Sequence, residues 1–408
     1  MIPLPSRFDQ LWSSLLPLGR HPETGGYRRY AWTTADAAMR AWFRDQAVVR
    51  GMTYEQDRNG NQWAWWGRPS AGAVVTGSHL DSVPDGGAFD GPLGVVSGFL
   101  AVDELQARGV VPARPIAVVN FVDEEGARFG VACVGSRLMT GVLRPEQACS
   151  LTDASGTTLE QAMTAAGVDA TAIGRDDVAL SRIGVFVELH VEQGRALADL
   201  DAAVGVGTAI WPHGRWRCSF RGEGNHAGTT RLADRRDPML PFAATVLAAR
   251  EIAFELGGVA TFGRVRVEPN GTNAIASSVH GWLDARAPDD QTVRELVAGI
   301  TAAAARSAAA HGVEVDVVAE SSTAEVTFAD GLRQRLSATL GGVPELATGA
   351  GHDAGILSAL VPTAMLFVRN PTGVSHSPAE AATAQDCVAG VTALALVLSD
   401  LAGDGCAR

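Results

Sequence analysis

Lysine is absent from this sequence: all 33 basic residues among its 408 are arginine. A Schiff-base mechanism needs a lysine amine, and a phosphate-binding P-loop needs its Gly-Lys-Ser/Thr sequence. A metal site bridged by a carbamylated lysine needs a lysine as well. The sequence therefore excludes all three kinds of site.

Cysteine is scarce and scattered. There are five cysteines, an odd number, and no two of them form a Cys-x-x-Cys pair. This pattern predicts reduced thiols in a cytoplasmic protein, without a disulfide framework or a zinc finger. The five are Cys133, Cys149, Cys218, Cys387 and Cys406.

Signals for secretion and for membranes are also lacking. The N-terminal stretch MIPLPSRFDQLWSSLLPLGR has neither the basic start nor the sustained apolar core of a signal peptide. No apolar run approaches the roughly 18–20 residues that a membrane span needs. We therefore expect a cytoplasmic protein that does not enter a membrane.

Positive charge is in deficit. The formal net charge is −12 and the isoelectric point is about 5.2. Such a surface repels nucleic acid and anionic lipid, so neither is expected as a partner. An anionic substrate would need a locally basic pocket. The 46% hydrophobic content indicates a globular chain, and 408 residues are enough for two domains.

Short apolar runs alternate with helical patterns at both ends of the chain, which indicates βα units and a mostly parallel sheet. Each predicted strand is β-branched or aromatic and is bounded by Gly, Pro or polar residues. The strands cover 73–78, 116–122, 185–189 and 363–368, and helices are predicted at 93–108 and 385–401.

The middle of the chain has a different order of elements. Strands are predicted at 215–221, 260–267, 277–286 and 313–319, with helices at 238–256 and 291–311. The order βαββαβ is that of the ferredoxin-like split βαβ unit. We therefore expect an α/β domain made of 1–207 and 323–408, with an α+β domain inserted at 208–322.

Histidines and acids follow the predicted strands of the α/β domain. In open α/β sheets, ligands bind at the carboxyl ends of the strands, so these side chains are expected to meet. They are His79, Asp81 and Asp90 after the first strand, Glu124 and Glu125 after the second, His190 after the third and His376 after the fourth.

These residue types suit a centre of two divalent metal ions. Two ions about 3.5–4 Å apart need a bridging carboxylate and two further protein ligands each. Asp90 provides the bridge. His79 and His190 then hold one ion, and Glu125 and His376 hold the other. A His and carboxylate set without cysteine suits zinc, with manganese or cobalt as alternatives.

Two further acids have predicted roles beside the ligands. Glu124 is one residue from a ligand and is not needed as one, which is where a general base for the attacking water belongs. Asp81 can bond the far ring nitrogen of His79 and fix its tautomer.

Each signal taken alone has a plainer interpretation. A lone histidine is usually structural, an EE pair is often a solvated helix end, and DGGAFDG can be only a turn. Jointly, five ligand residues in order at strand ends favour the metal centre.

Several motifs resemble those of the carbamoyl-amino-acid hydrolases, a group that includes N-carbamoyl-L-amino-acid hydrolase, allantoate amidohydrolase, ureidoglycolate hydrolase and di-zinc β-ureidopropionase. This group lies within the aminoacylase and carboxypeptidase metallohydrolase superfamily. The resemblance runs from about residue 25 to 401, and HVEQG and NHAGTT are its group-specific pieces. The motifs are GSHLDSVPDGGAFDGPLGV, DEEGARF, VELHVEQG, GNHAGTTRLADRRDPM, NGTNAIAS, LDARAP and GAGHDAGILSALVPTAMLFV with GVSHSPAE.

The resemblance implies the same two metal ions and an inserted domain that acts as a lid and forms a homodimer. It implies hydrolysis of the ureido C–N bond of a small anionic ureido acid, with release of ammonia and CO₂. Arg286 would bind the substrate carboxylate, and His226, from the partner subunit, would stabilise the oxyanion. The implied substrate-binding residues are Gln193, His213, His226, Asn273, Arg286, Gly351 and His352.

Departures from the group's pattern bear on the substrate. Arg231, Ala276-Ser277 and His213 stand where proline, Pro-Gly and glutamine are common, and FVRNPTG is unusual. The start GGYRRYAWT favours allantoate slightly, and an N-carbamoyl-L-amino acid, N-carbamoyl-β-alanine or ureidoglycolate is the alternative. A metallo-exopeptidase, an aminoacylase or a non-catalytic binding protein on this scaffold are the other hypotheses.

Overall fold

A computed structural model describes residues 2–403 of the chain. Its helices are α1 (Leu4–Leu15), α2 (Thr34–Val49), α3 (Pro92–Ala107), α4 (Val134–Thr140), α5 (Pro145–Ser150), α6 (Leu159–Ala165), α7 (Asp177–Arg182), α8 (Ala196–Asp199), α9 (Met239–Glu255), α10 (Asp290–Ala310), α11 (Asp330–Thr339), α12 (Asp353–Leu357) and α13 (Ala384–Ala402), with a 3₁₀ turn at Leu232–Asp234. Its strands are β1 (Thr53–Gln56), β2 (Gln62–Trp66), β3 (Ala73–His79), β4 (Ile116–Phe121), β5 (Ile183–Val191), β6 (Val204–Ile210), β7 (His213–Arg221), β8 (Asn225–His226), β9 (Val259–Glu268), β10 (Ala274–Ile275), β11 (Ser278–Arg286), β12 (Glu314–Thr323), β13 (Val326–Thr327), β14 (Glu345–Thr348) and β15 (Thr363–Val368).

A nine-stranded sheet has the order β1-β2-β4-β3-β5-β15-β6-β13, with β14 paired to β6. The four central strands, β4, β3, β5 and β15, run parallel. Strands β2 and β6 join them in the antiparallel direction. The fold is therefore mixed α/β with a large, mostly parallel sheet, as predicted.

The central strands are buried on both faces. On one face, Val74, Val118 and Val187 pack in a core with helices α1, α2, α3 and α13. The other face carries aromatic side chains, such as Phe121 and Phe186, which meet edge to face at 5.8 Å. Strands buried on both sides appear in the sequence as continuous apolar runs. That is why the four strands predicted at the two ends of the chain are confirmed as β3, β4, β5 and β15.

Helix α13 corrects one prediction. By length and composition it is long and apolar enough to cross a membrane, with a mean hydropathy of 1.4. The prediction that no apolar run approaches this length is therefore wrong, because the leucines and valines of α13 give it the hydropathy of a membrane span although charged and polar residues interrupt the run. In the structure 56% of this stretch is buried. It packs against α1, α3 and β15, as the core helix of a folded domain does.

The described chain divides into two compact units, Met1–Thr208 with Thr327–Arg408, and Ala209–Val326. The second unit has an antiparallel sheet of order β12-β7-β11-β9. Alternate residues of its strands, such as Phe220 and Leu283, are buried in cores that include α9 and α10 residues. This strand order is that of a split βαβ unit.

Candidate metal centre

The five residues predicted as metal ligands meet beyond the carboxyl ends of the central strands. His79 is the last residue of β3, and His190 is the penultimate residue of β5. Glu125 follows β4, while Asp90 and His376 come from the loops after β3 and β15. The parallel direction of these strands brings the five to one edge of the sheet, as expected for a ligand site.

Asp90 lies at the centre of this group. Its Oδ1 is 3.5 Å from Nε2 of His79 and 3.2 Å from Nε2 of His190. Its Oδ2 is 3.3 Å from Nε2 of His376, which lies 3.6 Å from Oε2 of Glu125. The ligand atoms form two triads that share Asp90, and within each triad they lie within 4.8 Å of one another. A carboxylate between two ions requires this arrangement.

The ring orientations and the unpaired atoms fit metal binding. Nδ1 of His190 lies 2.9 Å from the carbonyl oxygen of Val191, and Nδ1 of His79 lies 3.2 Å from that of Asp81. A carbonyl can only accept, so Nδ1 donates to it, and Nε2 is the nitrogen that faces Asp90 and would bind a metal ion. Nε2 of His79 and Oε1 of Glu125 are buried without a hydrogen-bond partner. Because buried polar atoms are normally satisfied, this donor set fits divalent metal ions.

A third group, Glu188 with His190 and His352, also has the spacing of metal ligands. The Glu188 carboxylate is already occupied, because Oε1 accepts from the Ser78 hydroxyl at 2.6 Å and Oε2 accepts from the Ala354 N–H at 3.0 Å. We therefore interpret Glu188 as a structural acceptor that ties β5 to β3 and α12.

His352 and Gly351, both predicted to bind substrate, have different surroundings. His352 is only 3% exposed, and its ring lies 4.5 Å from the His190 ring. Its Nε2 is buried without a hydrogen-bond partner. Gly351 is exposed. The structure thus places His352 as a support for His190, and its contact with substrate stays a prediction.

Asp81 connects His79 to the Glu124–Glu125 turn. Its Oδ1 lies 3.4 Å from Nδ1 of His79, which is the contact predicted from the sequence. In addition, its carboxylate accepts the backbone N–H groups of Glu124 at 3.1 Å and Glu125 at 3.0 Å. One buried carboxylate therefore orients a ring on β3 and the turn after β4.

Glu124, the predicted general base, is buried beside the first triad. Its Oε2 is 3.8 Å from Nε2 of His79, and the Cys133 thiol donates to its Oε1 at 3.4 Å. Burial raises the pKa of the Glu124 carboxyl well above its usual range, although the nearby His79 charge opposes this effect. A carboxyl with a raised pKa takes up a proton more readily than usual, as a general base must.

The electrostatics of the centre favour bound positive charge. Burial alone would raise the pKa of Asp90, but the close contacts of its carboxylate with the rings of His190, His376 and His79 outweigh this effect and hold the pKa well below its usual value. The hydrogen bond to Asp90 raises the pKa of His376 to about 9. Burial, followed by the Asp90 charge, raises the pKa of Glu125 to about 7. The acids thus keep protons on the rings, and a metal ion would supply the same positive charge.

Gln193, predicted to bind substrate, lies against the second triad. Its Nε2 donates to Oδ2 of Asp90 at 2.8 Å and is 3.4 Å from Nε2 of His376. Its Oε1 is buried without a hydrogen-bond partner. Its side chain is therefore placed where it can contact a ligand of this centre.

Sequence reasoning missed Glu380, although the motif GVSHSPAE contains it. Its Oε2 accepts the backbone N–H groups of Phe89 at 2.8 Å and Asp90 at 3.0 Å. Burial, followed by the Asp90 charge, raises its pKa to about 7. The only local signal was an acid four residues after His376.

The predicted substrate residues of the second unit form two groups. His213 and Arg286 are paired in register at one end of β7 and β11, and Arg286 is bidentate to Asp284 at 2.8 and 3.1 Å. His226 and Asn273 lie beyond the opposite end, where the Ala227 N–H donates to the Asn273 carbonyl at 3.0 Å. Arg286 lies eight residue steps along β11 from Ser278, which is at that end. At about 3.3–3.4 Å per residue, the two groups are roughly 27 Å apart.

Comparison with known proteins agrees with this geometry. The profile of peptidase family M20/M25/M40 matches residues 75–400. The chain is 36% identical to N-carbamoyl-L-amino acid amidohydrolase of Geobacillus stearothermophilus, over 95% of this chain and 96% of the relative. It is 31% identical to allantoate amidohydrolase of Escherichia coli, over 97% and 99%.

Among solved structures, a hydantoinase/carbamoylase family amidase from Burkholderia multivorans matches with a TM-score of 0.86 and 33% identity, over 97% of this chain and 98% of that one. These matches confirm the resemblance predicted from the motifs. The chain belongs to peptidase family M20/M25/M40 and, within it, to the hydantoinase/carbamoylase amidohydrolases, which hydrolyse C–N bonds other than peptide bonds.

Proposed function

We propose that this protein is a metal-dependent amidohydrolase that cleaves the ureido C–N bond of a small ureido acid and releases ammonia and CO₂. The observation that carries the proposal is the pair of ligand triads sharing Asp90, with the buried Glu124 beside them. The named activities of the full-length relatives support the substrate class.

The proposed centre holds two divalent ions, with zinc preferred and manganese or cobalt as alternatives. His79 and His190 would hold one ion, Glu125 and His376 would hold the other, and Asp90 would serve both. Bound there, the ions supply Lewis acidity, which polarises the ureido carbonyl and makes water a better nucleophile.

Glu124 is the proposed general base. It takes a proton from the attacking water and later passes it to the departing amine nitrogen. Asp81 fixes this geometry, because its carboxylate accepts the N–H groups of Glu124 and Glu125 and faces the ring of His79. Removal of ammonia leaves a carbamate, which loses CO₂.

The hydrogen bonds that Arg286 and His226 make support their proposed contacts with the substrate. The guanidinium of Arg286 is pre-oriented by Asp284 and would bind the substrate carboxylate. Nδ1 of His226 accepts the N–H groups of Gly228 at 3.0 Å and Thr229 at 3.2 Å. The ring proton therefore lies on Nε2, which can donate to an oxyanion. The remaining proposed contacts are Gln193, His213, Asn273, Gly351 and His352.

The segment 208–322 is proposed to be an inserted lid that also forms a homodimer. Along α9, the apolar side chains of Leu240, Leu247 and Phe254 recur every seven residues and are 52%, 66% and 87% exposed. Seven-residue spacing places them on one helix face. Strand β9 is an edge of its sheet, and an apolar stripe near such an edge is typical of an interface. His226 and Asn273 of the partner subunit would then join the site that uses Arg286.

Allantoate is the slightly preferred substrate, and an N-carbamoyl-L-amino acid is the main alternative. Relatives named for each of these substrates match nearly the whole chain.

A cytoplasmic location is also proposed for the protein. It is supported by the free thiols of the four described cysteines. Cys406 lies outside the described residues.

The test is ammonia release by the zinc-loaded protein, with Glu124→Gln as the control. The panel contains allantoate, ureidoglycolate, N-carbamoyl-β-alanine and several N-carbamoyl-L-amino acids. We expect turnover of one of these by the wild type and none by the control. Turnover of dipeptides or N-acetyl amino acids alone would instead establish an exopeptidase or aminoacylase. Metal binding without any turnover would support a binding protein.

A further inference from the structure

The loop that carries His376 needs support from outside itself. His376 lies eight residues beyond the end of β15, with φ of 55°, and half of its side chain is exposed. A non-glycine residue rarely adopts a positive φ, so the conformation must be held by its surroundings. By contrast, His79 and His190 lie on strands and are 1% and 0% exposed.

Within the loop, Asn370 organises the first half. Its Nδ2 donates to the carbonyl of Val374 at 2.8 Å, and its Oδ1 accepts the N–H groups of Thr372 at 3.1 Å and Gly373 at 3.0 Å. These bonds close the turn before Ser375. They do not connect the loop to Asp90.

Glu380 makes that connection. Its side chain belongs to the His376 loop, and its Oε2 accepts the N–H groups of Phe89 and Asp90 across about 290 residues of chain. The Ser375 hydroxyl lies 3.4 Å from Oε1 of Glu380 and 3.3 Å from Oδ2 of Asp90. Glu380 is 6% exposed, so these bonds are shielded from water.

The neighbouring backbone is shaped around this carboxylate. A Cβ on Gly87 would overlap the Glu380 carboxylate and its Cβ. Only glycine at position 87 leaves room for the Glu380 carboxylate, so both loops shape the space that this carboxylate occupies.

We propose that Glu380 is a positioning residue, which fastens the Asp90 loop to the His376 loop and thereby assembles the second metal triad. The inference rests on the proposed metal centre. The physical basis is that a ligand held by hydrogen bonds binds its metal more tightly, and the loss of such support costs about 10–100-fold in metal affinity.

The test compares Glu380→Met, which keeps the length but loses the acceptor, with Glu380→Gln, which keeps a carbonyl for both amides. Zinc content and zinc affinity are measured by chelator competition, and amide exchange at Phe89 and Asp90 is measured in the metal-free proteins. Asp57→Ala is the matched control, because Asp57 also accepts two backbone N–H groups, from Asn59 and Asn61 at 2.9 Å each, in the β1–β2 turn.

In Glu380→Met we expect faster exchange of both amides and a loss of about 10–100-fold in affinity for the more weakly held zinc. Glu380→Gln should stay close to wild type, and Asp57→Ala should bind two zinc ions. If Glu380→Met does not fold, Gly87→Ala displaces the carboxylate without removing it, and the same zinc and amide effects are expected.

Wild-type exchange and zinc affinity in Glu380→Met, or in Gly87→Ala where it replaces that variant, would overturn the inference. So would a loss in Glu380→Gln as large as that in Glu380→Met, because the charge rather than the acceptor would then be essential. If the wild type binds no zinc, the proposed metal centre fails instead. The amide exchange would still show whether Glu380 holds the two loops together.

Discussion

The candidate site residues of the α/β unit converge, whereas those of the inserted unit do not. Around Asp90, three histidine Nε2 atoms lie within 3.5 Å of one carboxylate. In the inserted unit, Arg286 lies at one end of the four-stranded sheet, whereas His226 lies in the short β8–β10 pair beyond the opposite end. One chain therefore brings the candidate metal ligands together, whereas its inserted unit holds the two candidate substrate residues apart. This difference between the two units supports the proposal that a second subunit completes the substrate site.

Burial separates the two regions in the same way. His79 and His190 are almost fully buried, while Asn273 and His226 are exposed in their own unit. A buried ligand set is rigid before metal binds, which suits chemistry that depends on geometry. Because Asn273 and His226 are exposed, a partner subunit can reach them, as the proposed dimer requires.

The largest expected effect on catalysis is that of replacing Glu124, which lies beside the candidate metal ligands of the α/β unit. Glu124→Gln should lower kcat by about 10⁴-fold, the upper end for a general acid–base residue, because Glu124 acts in both proton transfers. Two metal ions should remain bound, since a base is lost and no ligand is. Steady-state rates and elemental analysis measure both. If metal content falls together with activity, Glu124 is a ligand and the role given to Glu125 is wrong.

The next largest effect is expected from replacing His226, which is exposed in the inserted unit. His226→Ala should lower kcat by about 10²–10³-fold with little change in KM, because an oxyanion donor acts only once charge develops. Gln at this position restores a donor and should recover part of the rate.

Subunit mixing shows whether His226 acts across a dimer. Inactive His226→Ala chains mixed with inactive Glu124→Gln chains should recover about a quarter of wild-type activity, because half the dimers are mixed and each has one complete site of two. No recovery after demonstrated subunit exchange would place His226 in its own subunit's site or outside the chemistry.

A smaller effect is expected at the other end of the sheet. Arg286→Ala should raise KM by about 10–100-fold, since a charged hydrogen-bonded pair contributes about 1.5–3 kcal/mol in both the ground state and the transition state. The kcat should change little. A fall in kcat at unchanged KM would show that Arg286 stabilises only the transition state.

The smallest change per step, at most about tenfold per pH unit, is expected in the pH dependence of metal binding. The pKa of His376 is raised to about 9, so in the metal-free protein this ring is protonated at neutral pH. Zinc must displace that proton, and its affinity should rise up to about tenfold per pH unit until the pH reaches about 9, then level off. Competition titrations between about pH 6 and 9 measure this. A flat profile would mean that His376 is not a ligand.

The convergence of the candidate metal ligands was predictable because metal chemistry restricts the residue types expected at strand ends. His79, His190 and the Glu124–Glu125 pair could be found from local patterns alone. The residues that hold these side chains in position could not be found in this way. Glu380 reaches Phe89 and Asp90 through contacts between distant parts of the chain, and Glu188 reaches Ser78 across 110 residues. Such bonds leave no periodic or local signal.

The fold shows the same limit. The central strands were predictable from their apolar runs, but the β1–β2 hairpin was not. Strand β2 (QWAWW) carries Trp63 and Trp65, whose indole N–H groups donate to Asp57 and Glu55. This strand is only five residues long, and its antiparallel pairing with β1 and β4 depends on contacts that leave no periodic signal.

The most direct test of the central claim is the metal content of Asp90→Ala, measured by elemental analysis after dialysis. Asp85→Asn is the matched control, because Asp85 lies in the same loop but pairs with Arg28. Since one carboxylate serves both triads, Asp90→Ala should lose both ions, while Asp85→Asn should keep both. Two ions retained in Asp90→Ala would contradict the shared carboxylate and the binuclear centre built on it.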